Sequence, residues 1–378
     1  GLMGARGRIE YQPKGVVGII APWNFPVNLT FSPLVDIFAA GNRAMIKMSE
    51  YTPETSALVE RLVSEYFSAE EAIAFNGGPE VGQAFSALPF DHLIFTGATS
   101  IAKHILHAAA DNLVPVTLEL GGKSPTIIGE SADIAKATGR VTTGKMMNAG
   151  QICLAPDYMM VPEAKEGEII DGLSAAVAEQ YPTLDANDDY TSIVNDRHYE
   201  RLQGYLTDAK DKGAELVEIN PGNEDFSASN KRKMPLTIVR NPTEDMKVMQ
   251  EEIFGPVLPI KTYKNVNEAI DYVNRHDRPL GLYYFGSDKN EEEQVLSRTI
   301  SGGVTVNDVI FHVAMEELPF GGVGPSGMGA YHGHDGFKTF SHAKSVLNQT
   351  SVDVAKLGGF KPPFGKATQK AIAREMKV

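Results

Sequence analysis

Residues 15–21 read GVVGIIA and residues 22–26 read PWNFP. The first run is apolar and carries β-branched residues, with no polar side chain to keep one face in water. That is how a strand buried on both faces reads. The two prolines then stop it, because proline lacks a backbone donor. From residue 29 to residue 40 the pattern turns helical, and Gly41 closes it. The alternation repeats outward. Residues 44–48 read as a second strand and 52–67 as a second helix, with Pro53 in its first turn. Residues 73–76 read as a third strand and 79–86 as a short helix. Residues 92–95 read as a fourth strand, followed by a helix to about residue 110, and 116–118 as a fifth strand. Strands alternating with helices predict a parallel sheet covered on both faces, with ligands at the carboxyl ends of its strands. The turns after the strands are where chemistry is expected.

Residues 123–311 alternate again and read as a second α/β region. The stretch 220–233 is polar, rich in Gly, Asn and Ser, and reads as a surface loop. At 378 residues the chain exceeds one ordinary core and predicts two domains. The expected boundaries are 1–122 for a cofactor-type domain and 123–318 for a second one.

The formal net charge of −13 repels phosphate, so neither nucleic acid nor an anionic membrane is an expected partner. The tail runs locally against this, with Lys366, Lys370, Arg374 and Lys377 against Glu375 alone; a helix docked on its own protein or its dimer mate is the ordinary reading. No run of about 18 apolar residues is long enough to span a bilayer. One cysteine, Cys153, cannot form an internal disulfide, which fits a reducing compartment and a cytoplasmic expectation. The nine His residues show no ligand spacing such as HExxH, so no metal is expected.

Several residues carry possible chemistry. Cys153 lies in NAGQICLAP (148–156), where small and amide neighbours leave room for a substrate. Taken alone, a buried structural thiol is the commoner reading. Glu119 lies between two leucines in LELGGKSP (118–125), so it is either paired or raised in pKa. Asn24 sits between the prolines of PWNFP, as an amide donor for an oxyanion or simply as a turn residue. FTGATS (95–100) follows a strand and opens a helix, which suits a phosphate but lacks the GxGxxG fingerprint. Lys47 and Glu50 end the second strand, where an acid is placed to hold ribose hydroxyls or else forms a solvated pair. EEIFGPV (251–257) and LPFGGVGPSGMG (318–329) complete the set.

In this order, PWNFP, FTGATS, LELGGKSP, NAGQICLAP, EEIFGPV and LPFGGVGPSGMG resemble the aldehyde dehydrogenase superfamily over residues 7–346. The nearer resemblance is to class 3-like enzymes and, among them, to coniferyl aldehyde dehydrogenases. It rests on Pro156-Asp157-Tyr158, on 306–309 (VNDV), and on 329–333 (GAYHG) with 339–342 (TFSH). The resemblance implies the fold of that superfamily: a Rossmann-like parallel-sheet cofactor domain plus a second α/β catalytic domain, with residues 319–378 returning to the cofactor domain and ending in an oligomerisation strand and a C-terminal tail. It implies a nucleophile at Cys153, a general base at Glu119 and oxyanion donors at Asn24 and the Cys153 N–H. For the cofactor it implies Ala21 and Trp23, Lys47 and Glu50 at the adenosine ribose, and Gly78 and Gly82 on the adenine side. It places Gly97 and Ala98 at the pyrophosphate helix, and Glu252 and Phe254 around the nicotinamide.

The implied reaction is oxidation of an aldehyde to the acid with NAD, NADP remaining possible, through a cysteine thioester. Glu50 favours NAD by repelling a 2′-phosphate. Phe25, Phe254, Phe311 and Phe320 are expected to line an apolar funnel for an aromatic or medium-chain aldehyde. A homodimer or homotetramer is the implied assembly. Two departures stand out: Ala102 where the family has Gly, and Met48 where the subgroup has Pro. The N-terminal helices of the family, roughly a hundred residues, also have no counterpart in this sequence. These departures keep open a non-catalytic protein on the same fold, besides a broad-range fatty or aromatic aldehyde dehydrogenase. Transfer of the acyl group to coenzyme A is a further alternative, against which Glu119 argues.

Overall fold

A computed structural model describes residues 4–376; residues 1–3 and, in the basic tail, Lys377 lie outside the described residues. It separates into two compact units, one of residues 14–340 and one formed by the two ends of the chain.

In the terminal unit, β1 (Arg6–Pro13) pairs antiparallel with the last strand, Ser341–Asn348. A helix, Lys366–Glu375, follows with none of its residues buried. Among the described residues no helix is long and apolar enough to cross a membrane.

The larger unit begins with the stretch quoted first. Residues 16–20 become β2 (Val16–Ile20), with Val17 and Ile19 almost fully buried. The chain continues through α1 (Asn28–Ala39), β3 (Arg43–Lys47), α2 (Pro53–Tyr66), β4 (Ala72–Phe75), α3 (Pro79–Ser86), β5 (His92–Thr96), α4 (Thr99–Asp111) and β6 (Val116–Glu119). Each lies within a residue or two of the sequence expectation, because these elements are short, strongly apolar and punctuated by Gly or Pro. Neighbouring β6, β5, β2, β3 and β4 run parallel. The chain leaves β2 for β3 on one side and later returns to β5 on the other, so the order reverses between β2 and β5. Such a reversal opens a crevice at the carboxyl ends of the strands. A core of Val17, Ile19, Ile46 and Ile94, none above 1% exposed, holds this sheet to its helices. Burial of each such side chain stabilises by roughly 1.5–3 kcal/mol.

After β6 the chain builds a second sheet from β7 (Pro125–Ile128), α5 (Ile134–Met146), β8 (Tyr158–Pro162), α6 (Glu166–Gln180), α7 (Asp196–Asp211), β9 (Glu215–Ile219), β10 (Leu236–Arg240), α8 (Lys247–Gln250), β11 (Val257–Tyr263), α9 (Val266–Asn274), β12 (Gly281–Phe285), α10 (Lys289–Arg298) and β13 (Gly303–Val306). The strand order is β13-β12-β7-β8-β11-β10-β9, parallel except for the edge strand β9. The stretch 220–233 is a loop with one short 3₁₀ turn, as its polar residues lead one to expect. The glycine-rich segment then sends β14 (Gly327–Met328) back to pair antiparallel with β6, setting Gly327 opposite Glu119, before α11 (Gly333–Thr339).

Candidate active site

Several sequence-predicted residues stand at one edge, where β2 to β6 end. Ala21 extends the ladder by donating its N–H to Lys47 O at 3.0 Å. Beyond it the PWNFP turn carries Trp23 and Asn24. The Asn24 side-chain amide donates to Gln151 O at 3.1 Å, and Asn148 donates back to Asn24 O at 3.1 Å. These bonds tie the turn after β2 to the segment that holds Cys153, across more than a hundred residues of chain.

That segment is shaped by its backbone. After α5, Asn148, Ala149 and Gly150 all take left-handed angles, with φ of 50°, 52° and 73°. Two consecutive non-glycine residues there store strain that surrounding bonds must hold. Gln151 supplies them: its amide donates to Asn148 O at 3.0 Å and to Ser192 O at 3.1 Å, and its Oε1 accepts from Val194 N at 2.9 Å. Gly150 has the further requirement that any side-chain carbon there would run into Gly255 O. The turn delivers Cys153 half-buried. Burial, and then the nearby carboxylates of Glu252 and Glu119, push its thiol up to about 12, while the N–H groups of Cys153 and Leu154 pull the other way.

Glu119 ends β6 and is 3% exposed. Its carbonyl accepts from Gly97 N at 3.0 Å, yet both carboxyl oxygens are buried without a hydrogen-bond partner. Burial raises its pKa well above the usual carboxylate range. Such a group has a cost in a folded protein and marks a place where chemistry is expected. Glu252 is half-buried, and its pKa is pushed up to about 8, first by the burial of its carboxyl and then by Asp157, against the Gly122 N–H and Lys123. Its carboxyl lies against Gly121, where any side chain would overlap it. Lys123 pairs with Asp157 and also donates to Val248 O and Glu251 O; Asp157 in turn accepts from Ile253 N at 2.8 Å. This network fixes EEIFGPV against LELGGKSP. Phe254, at φ 49°, turns its ring edge-on to Trp23 at 5.4 Å.

A second group lies along the same sheet edge. Lys47 is buried and donates to Glu50 at 3.0 Å. A side-chain carbon on Gly82 would lie 3.9 Å from the Lys47 stem. Gly78 caps α3 and donates to Glu80, and Ala98 caps α4 with no side-chain bond. Ala102 turns its methyl into the core with Phe95 and Ile105. Met48 is fully buried and takes a 3.4 Å contact from the Thr30 hydroxyl.

These residues fit a dinucleotide. The uncapped helix start at Ala98 offers N–H groups to phosphate, and the half-exposed Glu50 offers acceptors to a ribose. The buried Glu252 oxygen without a partner offers an acceptor next to Phe254.

The structure corrects the expected aromatic funnel. Phe25 does line a cavity, of about 610 Å³, together with Asn24, Phe31, Asp36, Glu316 and His332. Phe254 belongs instead to the Trp23 cluster, Phe320 is buried beneath His332, and Phe311 does not line the cavity. Short apolar motifs do not reveal which way a ring faces. Sequence reasoning also missed Lys145, Asn148, Gln151, His198, Asp36 and His332. Asn148 and Gln151 lay inside a quoted motif. His198 joins Trp23 and Tyr51 in one aromatic cluster, and nothing in its local sequence signals this. A second cavity, about 520 Å³ around Val273, Arg278 and Pro325, borders none of the site residues.

Residues 3–346 match the aldehyde dehydrogenase family. The chain is 58% identical over 364 residues to a coniferyl aldehyde dehydrogenase of a Pseudomonas species, covering 96% of this chain and 76% of that protein. Among solved structures it is similar to Staphylococcus aureus AldH in a substrate-bound state. That likeness has a TM-score of 0.90 at 41% identity and covers 99% of this chain and 80% of the other. It is also similar to a betaine aldehyde dehydrogenase of the same species in complex with NAD+. There the TM-score is 0.83 at 29% identity, with 93% and 70% covered.

Proposed function

The chain belongs to the aldehyde dehydrogenase family and is an NAD(P)-dependent enzyme that oxidises aldehydes; we propose that it acts on aryl aldehydes of the coniferyl type, through a thioester on Cys153. The observation that carries this reading is the convergence on one thiol. Glu119 and Glu252 both act on Cys153, and the Asn24 amide is bonded two residues before it.

In the proposed reaction, Cys153 Sγ adds to the aldehyde carbon as its proton passes to the Glu119 carboxylate, directly or through water. A thiol held this high reacts only when the proton is removed as the S–C bond forms. The carbonyl oxygen becomes an oxyanion that accepts from the second Asn24 amide hydrogen and from the Cys153 N–H. Lys47, Glu50, Gly82, Ala98, Glu252 and Phe254 are the residues that would hold a dinucleotide, which would supply the acceptor for the hydride that the aldehyde carbon loses. The product on the enzyme is a thioester. Once it has passed the thiol's proton on to solvent, Glu119 removes a proton from water, the oxygen adds to the acyl carbon, and the C–S bond breaks to release the acid, the departing thiolate taking the proton back from Glu119. Burial of Glu119 suits both proton transfers, since raising its pKa makes its carboxylate the stronger base. It also supports water, rather than coenzyme A, as the acyl acceptor.

The Pseudomonas relative's name and the aromatic wall of Phe25 and Phe31 support the substrate class. The test follows NADH absorbance with coniferyl aldehyde, for the wild type and Cys153→Ala. Loss of turnover by about 10⁴-fold or more is expected in the variant. Residual turnover within tenfold of wild type refutes the nucleophile. A higher kcat/KM for small polar aldehydes refutes the substrate class.

A further inference from the structure

The 610 Å³ cavity is chemically uneven along its length. Asn24 lies just before α1, Phe31 in its first turn, and Asp36 eight residues beyond Asn28, roughly 12 Å along the axis. The lining therefore passes from an amide, along an aromatic wall, to a polar group made of Asp36, Glu316 and His332. The reacting centre uses the first of these. The proposed mechanism leaves the last without a role.

His332 is the unusual member. It is 8% exposed and takes a left-handed φ of 82°. Its backbone N–H donates to Asp36 Oδ2 at 3.1 Å. Its ring stacks on Phe320 at 5.3 Å and 21°. Its Nδ1 is buried and has no hydrogen-bond partner. A buried polar atom among aromatic rings costs about 1–3 kcal/mol when left unmade. Asp36 is buried as well, and Gly336 makes room for its carboxyl, since any side chain there would overlap it. A bland account is available: Asp36 anchors the strained turn before α11. That account explains one Asp36 oxygen. It explains neither the unmade His332 Nδ1 nor the presence of Glu316 and His332 in the lining of the cavity that begins at Asn24.

We propose that Asp36, Glu316 and His332 form a specificity subsite for a ring hydroxyl, so that para-hydroxylated aryl aldehydes lie with the phenol at this end and the carbonyl at Asn24. This rests on the aryl-aldehyde reading given above. A phenol donates one hydrogen bond and accepts others. Its O–H donates to a carboxylate of Asp36 or Glu316, and its oxygen accepts from His332 Nδ1. Burial keeps the imidazole below its usual pKa range and hence neutral, so Nδ1 bears a proton in one tautomer without placing a charge in the cavity. A ring without the hydroxyl leaves these groups unpaired, and sites built for a hydroxyl discriminate strongly against its absence.

The test compares kcat/KM for 4-hydroxycinnamaldehyde and cinnamaldehyde, which differ only in that hydroxyl, in the full chain and in His332→Phe and Glu316→Gln. The readout is the ratio, so an effect common to both substrates cancels. The expected wild-type ratio is about 10–100 in favour of the hydroxylated aldehyde, falling below about 3 in His332→Phe and by a lesser factor in Glu316→Gln. Circular-dichroism melting reports whether His332→Phe is folded, and Glu316→Gln carries the test at the exposed rim if it is not. A wild-type ratio near one, or a ratio unchanged in a folded variant, overturns the subsite and leaves the aryl-aldehyde reading standing. Poor turnover of both substrates beside short aliphatic aldehydes overturns the aryl reading itself, and the subsite with it.

Discussion

Around Lys47 and Glu50 the charged side chains are paired, whereas around Cys153 several are not. In the first region the buried Lys47 meets Glu50 at 3.0 Å, and the Gly78 N–H meets Glu80. Both pairs join residues two or three positions apart. In the second, both Glu119 oxygens, one Glu252 oxygen and Lys145 Nζ are buried with no hydrogen-bond partner. Backbone strain also gathers there, at Asn148, Ala149 and Phe254. The difference teaches how binding and reaction are built. A recognition surface is assembled from nearby residues whose polar atoms pair with one another. A reaction centre draws charged groups from distant segments and holds them unsatisfied, which costs stability and leaves them reactive.

Four substitutions break or sharpen that contrast. The largest effect is expected at Glu119→Gln, which keeps shape and removes the base. Steady-state kcat should fall about 10²–10⁴-fold. Deacylation should suffer most, giving a burst of NADH equal to the Cys153 present in stopped-flow traces. Wild-type turnover without a burst would mean that the unmatched carboxyl has no chemical role.

Asn24→Ala comes next, with kcat reduced about 10²–10³-fold by loss of one oxyanion donor. The loss should fall on kcat rather than on KM. A change confined to KM would reassign Asn24 to holding the turn against Gln151.

Lys145→Met tests the cost of the unmatched region directly. The lysine is fully buried, and its pKa is lowered to about 8 from 10.5, by burial first, while Asp157 and Glu252 oppose the shift. Below pH 8 both folded and unfolded states are protonated, and the folded state bears the full cost of the charge. Between 8 and 10.5 the folded state releases its proton first, so stability rises with pH, and the cost is gone above 10.5. The methionine variant should therefore be more stable at pH 7 by about 1–3 kcal/mol, an advantage that fades by pH 10.5. Urea unfolding at pH 7 and pH 10 measures it. Equal stability at both values would show that Lys145 has a partner in solution.

The smallest effect belongs to the matched region. Glu50→Gln removes the repulsion toward a 2′-phosphate, and the kcat/KM ratio for NADP over NAD should rise about tenfold. Glu50 is 35% exposed at its side chain, so water already screens part of its charge. A ratio that does not move would take Glu50 away from the ribose.

Much of the first sheet was legible in the residues. GVVGIIA is apolar throughout, and β2 is buried. Pro53 and Pro79 both stand at the first position of helices. The carboxyl edge of a parallel sheet was the expected place for ligands, and the turns after β2, β3, β5 and β6 gather there. Ala102 stood out as a departure, and the structure seats its methyl in the core beside Phe95. The ring directions of Phe254 and Phe320 were not legible, because a rotamer answers to neighbours that lie far away in the chain.

By itself the sequence determined which segments become strands and helices, since propensity, apolar runs and Gly–Pro punctuation act over a few residues. It also determined the kinship, through six motifs in a fixed order. Only the tertiary structure decided that Asp36 would hold the turn at His332, 296 positions away. It alone decided that Cys153 would be flanked by Glu119 and Glu252, and that Lys145 would be buried without a partner. The reason is physical: burial and the field of distant charges belong to a three-dimensional neighbourhood, and that neighbourhood exists only once the chain has closed on itself.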